Sequence, residues 1–221
     1  MKTFTIEFPH INDNGFIDEP FLLKYLGHIA WLENSYSPGE GVYHAFLYIG
    51  HDLDIQYFTE GKTISIETKK IDYGNFVKNV HTIDSKFNVI MITVPINVDR
   101  WGISRIKNEA TRKRPEELIA FGQEKYNAKT QSVDINVFDS SSEKFKEYTY
   151  SVNRYRDFNK INILYFPNFI RIENEHIGPC MNGRKSYFFA NTKKDSLTIK
   201  HWNNNITIED SDDLMYKSIR L

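Results

Sequence analysis

Cysteine is almost absent from this 221-residue sequence, which contains Cys180 and no other. A single cysteine excludes an internal disulfide and a cluster of thiolate metal ligands, and it favours a reducing compartment. No long apolar run follows the lysine near the N-terminus, and no segment reaches the roughly 20 apolar residues that a membrane-spanning helix needs. We therefore expect a cytoplasmic protein with no membrane partner.

The sequence also lacks an excess of charge and the common catalytic motifs. Its formal net charge is -1 with 26% charged residues, so nothing indicates nucleic acid as a partner. The 7 histidines show no ligand spacing such as H-x-x-x-H, so we predict no metal site. Glycine-rich phosphate loops, G-x-S-x-G turns and Cys-His nucleophile pairs are absent as well.

Aromatic residues, in contrast, are plentiful, with 13 Tyr and 16 Phe. Aromatic and β-branched residues favour strands, so the composition indicates a large sheet. In the first half we predict strands at 42–50, 63–71 and 87–98. In the second half we predict strands in VDINVF, KEYTYSV, KSYFFAN, SLTIKHW, NITIE and MYKSIRL.

Two long helices are predicted, one in each half of the chain. Residues 16–34 have Asp18 as N-cap and Pro20 in the first turn, followed by an apolar stripe. Residues 156–172 are charged at first and then almost wholly apolar, so their helix either starts late or kinks at Pro167. The repeated order of helix and strands suggests an internal duplication, with domains at 1–105 and 131–221. The basic stretch 106–130 would be a linker with a short helix.

A helix that is apolar nearly all round is a buried helix. A curved antiparallel sheet wrapped around one such helix is the hot-dog arrangement. We therefore predict an α+β double hot-dog fold, with two curved antiparallel sheets that each surround a long central helix. The free N–H groups at such a helix N-terminus can hold a thioester carbonyl or an oxyanion.

One segment resembles known hot-dog enzymes. NKINILYFPNF resembles the hot-dog thioesterase pattern Asp-x-x-Gly-(apolar)-(apolar)-Tyr-x-x-Asn-(aromatic) at Tyr165, Asn168 and Phe169. RDFNKINILYFPNF more closely resembles the Asp-Phe-Asn-Gly-Ala-Gly-Leu-Leu-Tyr-Phe segment of the double hot-dog acyltransferase/decarboxylase of the leinamycin polyketide pathway. FLLKYLGHIAW, VIMITVPI and RKSYFFANTKKDSLTIK resemble further segments of that family in the same order.

This resemblance implies chemistry on thioesters of coenzyme A and acyl carrier protein in polyketide biosynthesis. A malonyl-type acyl group would pass to a tyrosine, lose its carboxyl group and move to the carrier protein. Tyr43 in GVYHAFLYI best matches the acyl acceptor, with Tyr48 as the fallback. Coenzyme A thioester would be a substrate, and no tightly bound cofactor is implied.

The matched segment also departs from both patterns. Asn159 stands where the thioesterase pattern has its catalytic Asp, and Lys160, Ile161 and Asn162 replace a Gly-Ala-Gly run. An amide cannot act as a general base, but Asn159 could donate a hydrogen bond to a thioester oxygen. Asn159 or Asn162 could equally be the N-cap of the buried helix.

Other residues are candidates for substrate binding, together with Lys160 and Asn162. Asp157 could replace the missing base, or it could be a solvated turn residue. His28 stands where the family carries an acid, and it could face the first pocket or be an ordinary helix histidine. Trp31 closes the Gly-x-x-x-Trp motif of the first helix. Arg105 belongs to a basic run that could meet coenzyme A phosphates or a carrier protein, or be a solvated face.

Three functions therefore remain open. The preferred one is an acyltransferase/decarboxylase with Tyr43 as acyl acceptor and Asn159 as substrate contact. The first alternative is a thioesterase that acts through Asp157. The second is a non-catalytic module that binds acyl-CoA or acyl carrier protein. A double hot-dog chain could work as a monomer or as a homodimer.

Overall fold

Antiparallel sheet dominates the computed structural model of this chain. The structure describes residues 1–33, 42–99, 102–106, 115–130, 145–158, 164–211 and 213–221. The chain divides into two compact units. Unit 1 comprises Met1–Arg112, Pro179–Lys185 and Leu221, and unit 2 comprises Lys113–Gly178 and Ser186–Arg220.

Unit 1 is built from six strands and one long helix within its described residues. They are β1 (Lys2–Thr5), α1 (Glu19–Glu33), β2 (Val42–His51), β3 (Thr63–Asp72), β4 (Val77–Ile83), β5 (Phe87–Asp99) and β6 (Gly102–Arg105). The strand order is β1-β3-β4-β5-β2, and β6 pairs with β5. All of these pairs are antiparallel. The three strands predicted in this half are confirmed.

Helix α1 begins where the sequence predicts. The carboxylate of Asp18 accepts a hydrogen bond from the backbone N–H of Phe21 at 3.1 Å, which satisfies one of the free donors of the first turn. Leu22, Leu26 and Ile29 are at most 2% exposed and form the buried stripe of the helix. The predicted N-cap and the predicted apolar face are therefore both confirmed.

Strand β4 was not predicted from the sequence, and its inward face explains why. Side chains alternate along β4 between buried and half-buried positions. The buried positions are Val77, Asn79, His81 and Ile83. Because two of these four core positions are polar, the usual alternation of apolar and polar residues is hidden.

Unit 2 contains the remaining elements of the described chain. They are α2 (Glu116–Thr130), β7 (Phe145–Ser151), α3 (Arg154–Asp157), α4 (Phe166–Ile177), the end of β8 (Arg184–Phe188), β9 (Ser196–Trp202), β10 (Asn205–Glu209) and β11 (Leu214–Arg220). The strand order is β8-β11-β10-β9-β7. The last five strands predicted in this half are confirmed. The strand predicted in VDINVF lies outside the described residues.

The helix predicted for 156–172 differs from the observed one. Residues 154–157 form the short α3, and α4 starts only at Phe166, with Pro167 in its first turn. The prediction of a late start is therefore confirmed. Proline is tolerated in the first turn because the N–H that it lacks would have no partner within the helix. The N-cap is Tyr165, so the prediction of Asn159 or Asn162 as its N-cap is wrong.

The prediction that the apolar part of this segment is buried is confirmed for five of its described residues, which are at most 5% exposed: Leu164, Phe166, Phe169, Ile170 and Ile172. Helix α4 also continues beyond the predicted end at residue 172. Phe169 and Ile170 are buried, but Glu173 is buried with them at 0% exposure. The Glu173 carboxylate accepts hydrogen bonds from the Tyr216 hydroxyl at 3.0 Å and from Arg220 Nε at 2.8 Å. A buried carboxylate is tolerated because both of its oxygens have partners.

Within the described part of the chain, no helix is both long enough and apolar enough to cross a membrane.

Candidate functional site

Asp157 is the centre of a buried network in unit 2. It ends the short helix α3, and it is 0% exposed. One carboxylate oxygen accepts hydrogen bonds from the Tyr150 hydroxyl at 2.7 Å and from the Asn153 backbone N–H at 2.8 Å. The other accepts from Arg171 at 2.6 Å and from Arg156 at 3.2 Å. The interpretation of Asp157 as a solvated turn residue is therefore wrong.

Two guanidinium groups neutralise this carboxylate. The side chains of Arg156 and Arg171 are 52% and 21% exposed, so each reaches from the buried acid towards the surface. The hydrogen bond from Arg156 to the Tyr150 hydroxyl, at 2.6 Å, raises the pKa of this arginine. A carboxylate held by two guanidiniums, a hydroxyl and a backbone N–H has its acceptor positions occupied. This arrangement suits a structural ion pair better than a general base.

The backbone of Asp157 connects the network to the start of α4. Its carbonyl oxygen accepts hydrogen bonds from the Tyr165 N–H at 3.2 Å and from the Asn168 side-chain amide at 2.6 Å. Phe158 and Leu164 form an antiparallel bridge. Burial raises the pKa of the Tyr165 phenol. Tyr165 and Asn168 are two of the three residues that match the thioesterase pattern. Both thus donate a hydrogen bond to the backbone of Asp157, shortly before the segment 159–163.

Leu164, the residue directly after that segment, is held by two hydrogen bonds. The Asn191 side chain accepts a hydrogen bond from the Leu164 N–H at 2.9 Å and donates one to the Leu164 carbonyl at 3.0 Å. Residues on both sides of 159–163 therefore have defined partners. The predicted contacts Asn159, Lys160 and Asn162 themselves lie outside the described residues.

The predicted acyl acceptor, Tyr43, is a half-buried residue of β2 in unit 1. Its partner on β5 is Ile96, while its neighbour His44 points to the other face of the sheet and bonds Thr93 at 3.0 Å. Among the described residues, the structure records no hydrogen bond to the Tyr43 hydroxyl. The role of Tyr43 as acyl acceptor stays a prediction.

The other predicted binding residues lie at the surface of unit 1. His28 is exposed on α1, and its ring centroid is 6.0 Å from that of the half-buried Trp31. Arg105 is exposed on β6, with its guanidinium 4.4 Å from the centroid of the Phe76 ring. Their roles in substrate binding stay predictions.

A second buried ionic group was missed by sequence reasoning. In unit 1, the carboxylate of Glu19 bonds His51 Nε2 at 2.8 Å and Arg184 at 2.5 Å, and the three side chains are at most 1% exposed. Gly183 permits this packing, because a Cβ atom there would lie 2.5 Å from the His51 carbonyl oxygen. The partners are far apart in sequence, so no local pattern could have revealed them.

Comparison with known proteins identifies the fold. No family model matches the chain, and no curated protein sequence matches it. The chain is similar in structure to an acyl-ACP thioesterase from Bacteroides thetaiotaomicron, with a TM-score of 0.65 and 12% identity over 98% of this chain and 94% of that one. The 12:0-ACP thioesterase from Umbellularia californica gives 0.62 and 11%, over 98% and 91%. HtdX of Mycobacterium tuberculosis gives 0.50 and 8%, over 99% and 97%.

This chain has a double hot-dog fold. The fold prediction is therefore confirmed. At 8 to 12% identity, the similarity establishes the fold and leaves the activity to be argued from the site.

Proposed function

We propose that this protein binds acyl thioesters of acyl carrier protein or coenzyme A and hydrolyses them. The observation that supports the proposal is the similarity in structure to two acyl-ACP thioesterases, which extends over 98% of the chain. In this reaction water adds its oxygen to the acyl carbon, the C–S bond breaks, and the products are a carboxylic acid and a thiol.

Asp157 acts in this proposal as a positioning residue. Its carboxylate is held by Arg156 and Arg171, so it has little capacity left to accept a proton from water. Its backbone carbonyl instead fixes Tyr165 and Asn168 at the start of α4. We propose that Asn159 contacts the thioester oxygen, since an amide N–H can stabilise the developing negative charge.

Acyl transfer with decarboxylation is the second candidate. It is favoured by the resemblance of RDFNKINILYFPNF to the leinamycin-type segment, and it would use Tyr43 as acyl acceptor. The carboxyl group would leave as carbon dioxide, and the remaining acyl group would move from the tyrosine oxygen to the thiol of the carrier protein.

One experiment separates these functions. The protein is incubated with a panel of acyl-CoAs that includes malonyl-CoA and methylmalonyl-CoA, and thiol release, free acid and intact protein mass are followed. The same measurements are made on Tyr43→Phe and on Tyr155→Phe, a control at an exposed position.

Hydrolysis predicts equal release of thiol and acid, no stable protein adduct and unchanged rates in both tyrosine variants. A decarboxylated acyl adduct that disappears only in Tyr43→Phe would replace hydrolysis by acyl transfer. Intact acyl-CoA throughout, with saturable binding, would mean a non-catalytic module and would contradict both reactions.

A further inference from the structure

One face of the unit 1 sheet is covered by α1. His51 on β2 lies on this face, because its side chain bonds Glu19 of α1 at 2.8 Å. His51 is paired with Val89 on β5, and Val89 is paired with His81 on β4. Directly paired residues of neighbouring strands project to the same face of a sheet. The side chain of His81 therefore projects to the face on which α1 packs through Glu19.

A row of polar side chains crosses this covered face. We call it the polar row, and it consists of Thr68 on β3, His81 and Asn79 on β4, Thr93 on β5, and His44 on β2. The Thr68 hydroxyl is 2.9 Å from His81 Nδ1, and the Thr93 hydroxyl is 3.0 Å from His44 Nδ1. Asn79 is the member between these two hydrogen-bonded pairs.

The side chain of Asn79 is buried, and its hydrogen-bonding capacity is not used by the residues that the structure describes. It is 0% exposed, and within the described part of the chain neither its amide oxygen nor its amide nitrogen has a hydrogen-bond partner. His81 is also 0% exposed, and its Nε2 has no partner among the same residues. Leaving such groups unpaired in a core is costly, and folded proteins rarely do so. Among the described residues, Asn79 and His81 thus present three unpaired polar atoms at neighbouring inward positions of β4. Such a cluster indicates that a polar group of a ligand binds there.

The polar row is uncharged at neutral pH. Burial lowers the pKa of His81 to about 4 and that of His44 to about 4, so both imidazoles are neutral. On the same face, Lys70 is the cross-strand partner of Asn79, and its ammonium lies 3.9 Å from the Asp72 carboxylate. The exposed Lys2 is a second cation near His81, and its charge contributes, after burial, to the lowered pKa of this histidine. A site whose own donors and acceptors are neutral favours a neutral polar ligand group over a carboxylate.

Helix α1 has small residues on its buried side. Gly27 and Ala30 are both buried, and they follow the larger Leu23 on the same helical stripe. Glycine and alanine at these buried positions fill less volume than leucines would. An extended apolar chain is the kind of ligand that this otherwise apolar layer accommodates.

We propose that unit 1 binds the acyl chain of a hydroxylated acyl thioester, with the chain hydroxyl on Asn79 and His81. A hydroxyl group donates one hydrogen bond and accepts others, so it can pair with the amide oxygen, the amide nitrogen and Nε2. The inference rests on the proposed action on acyl thioesters and specifies their class: an oxygenated chain is preferred over a plain alkyl chain.

The test compares binding of two kinds of non-cleavable thioether analogue. The thioether analogues of decanoyl-CoA and of a series of its monohydroxylated isomers, in which a methylene group replaces the thioester carbonyl, are measured by calorimetry on the full chain. The variants are Asn79→Leu, which keeps the branching at Cγ and replaces the polar atoms by larger methyl groups, and Asn88→Leu, which changes an exposed asparagine of β5. Thermal unfolding of each ligand-free variant is recorded in parallel.

For the wild type we expect at least one hydroxylated isomer to bind roughly tenfold more tightly than the plain chain, since a buried site built for a hydroxyl disfavours its loss. Asn79→Leu should lose this preference and bind the plain chain at least as well. Asn88→Leu should retain the preference.

Different failures have different meanings. Equal wild-type affinity for plain and hydroxylated chains would overturn this inference and leave action on acyl thioesters intact, because the polar row would then be satisfied by water. An unchanged preference for the hydroxylated chain in Asn79→Leu would also overturn it, whatever the unfolding temperature, since the larger leucine can destabilise a buried position by crowding alone. Binding of neither chain would contradict the proposed function itself.

Discussion

The buried histidine His81 should make the stability of this protein depend on pH. In the unfolded chain its pKa is near the ordinary value of 6.5, and in the folded protein burial lowers it to about 4. Between these two values the unfolded state binds more protons than the folded state, so stability falls as the pH falls. More than about one pH unit above 6.5 the contribution is constant, because the histidine is neutral in both states.

The size of this effect follows from the two pKa values. Each unit of difference corresponds to about 1.36 kcal/mol, and the full effect is reached only below the folded pKa. Integrated from pH 7 to pH 5, the contribution of His81 is a loss of about 1.8 kcal/mol. His44, whose pKa burial also lowers to about 4, should add a loss in the same direction.

Urea unfolding of the wild type and of His81→Asn at pH 7 and pH 5 measures this contribution. Asparagine places an acceptor near the position of Nδ1, so the partner Thr68 is retained. The loss of unfolding free energy between the two pH values should be smaller in the variant by about 1.8 kcal/mol. His28→Asn, at an exposed helix position, should leave the pH dependence unchanged. Equal pH dependence in wild type and His81→Asn would refute the reasoning.

Three substitutions test the buried ionic groups by chemical denaturation. Asp157→Asn should lower the free energy of unfolding by about 3 kcal/mol, because it breaks a buried ion pair, whereas the exposed Asp195→Asn should change it by less than about 1 kcal/mol. Glu19→Gln should cost about 3 kcal/mol, because it leaves a buried guanidinium without its counter-charge. Gly183→Ala should destabilise by at least about 1 kcal/mol, since φ is +109° and the new Cβ meets the His51 carbonyl oxygen; a neutral result would contradict the close approach.

Local sequence patterns predicted helices and strands well where the buried positions carry apolar residues. The strand SLTIKHW coincides with β9 and NITIE with β10, and Asp18 caps α1 as expected. The short strands β1 and β6 were not predicted. Polar residues at core positions were a second source of error. Asn79 and His81 concealed β4, and Glu173 shows that α4 buries charge as well as apolar surface.

The environment of Asp157 could not be predicted from its neighbours in sequence. Its neutralising partners come from positions 1 and 14 residues away, and its hydroxyl donor lies on β7. A carboxylate that follows an arginine is usually a surface residue, so the local sequence favoured a solvated turn. The packing of α4 against that turn brings Arg171 to the Asp157 carboxylate, and this ion pair offsets the free-energy cost of burying the charge.

Comparison of the buried polar groups separates structural roles from binding roles. Asp157 and Glu173 in unit 2 are fully buried, and donors occupy both oxygens of each carboxylate. Such groups stabilise one packing arrangement, and they offer nothing further to a ligand. Asn79 has the same burial, but its amide atoms have no partner within the described residues. Burial alone therefore does not mark a binding site. Ser218 of unit 2 is also buried, and its hydroxyl has no partner within the described residues, but it is a single atom. Asn79 and His81 leave three such atoms on neighbouring inward positions, and we base the proposed site in unit 1 on this concentration.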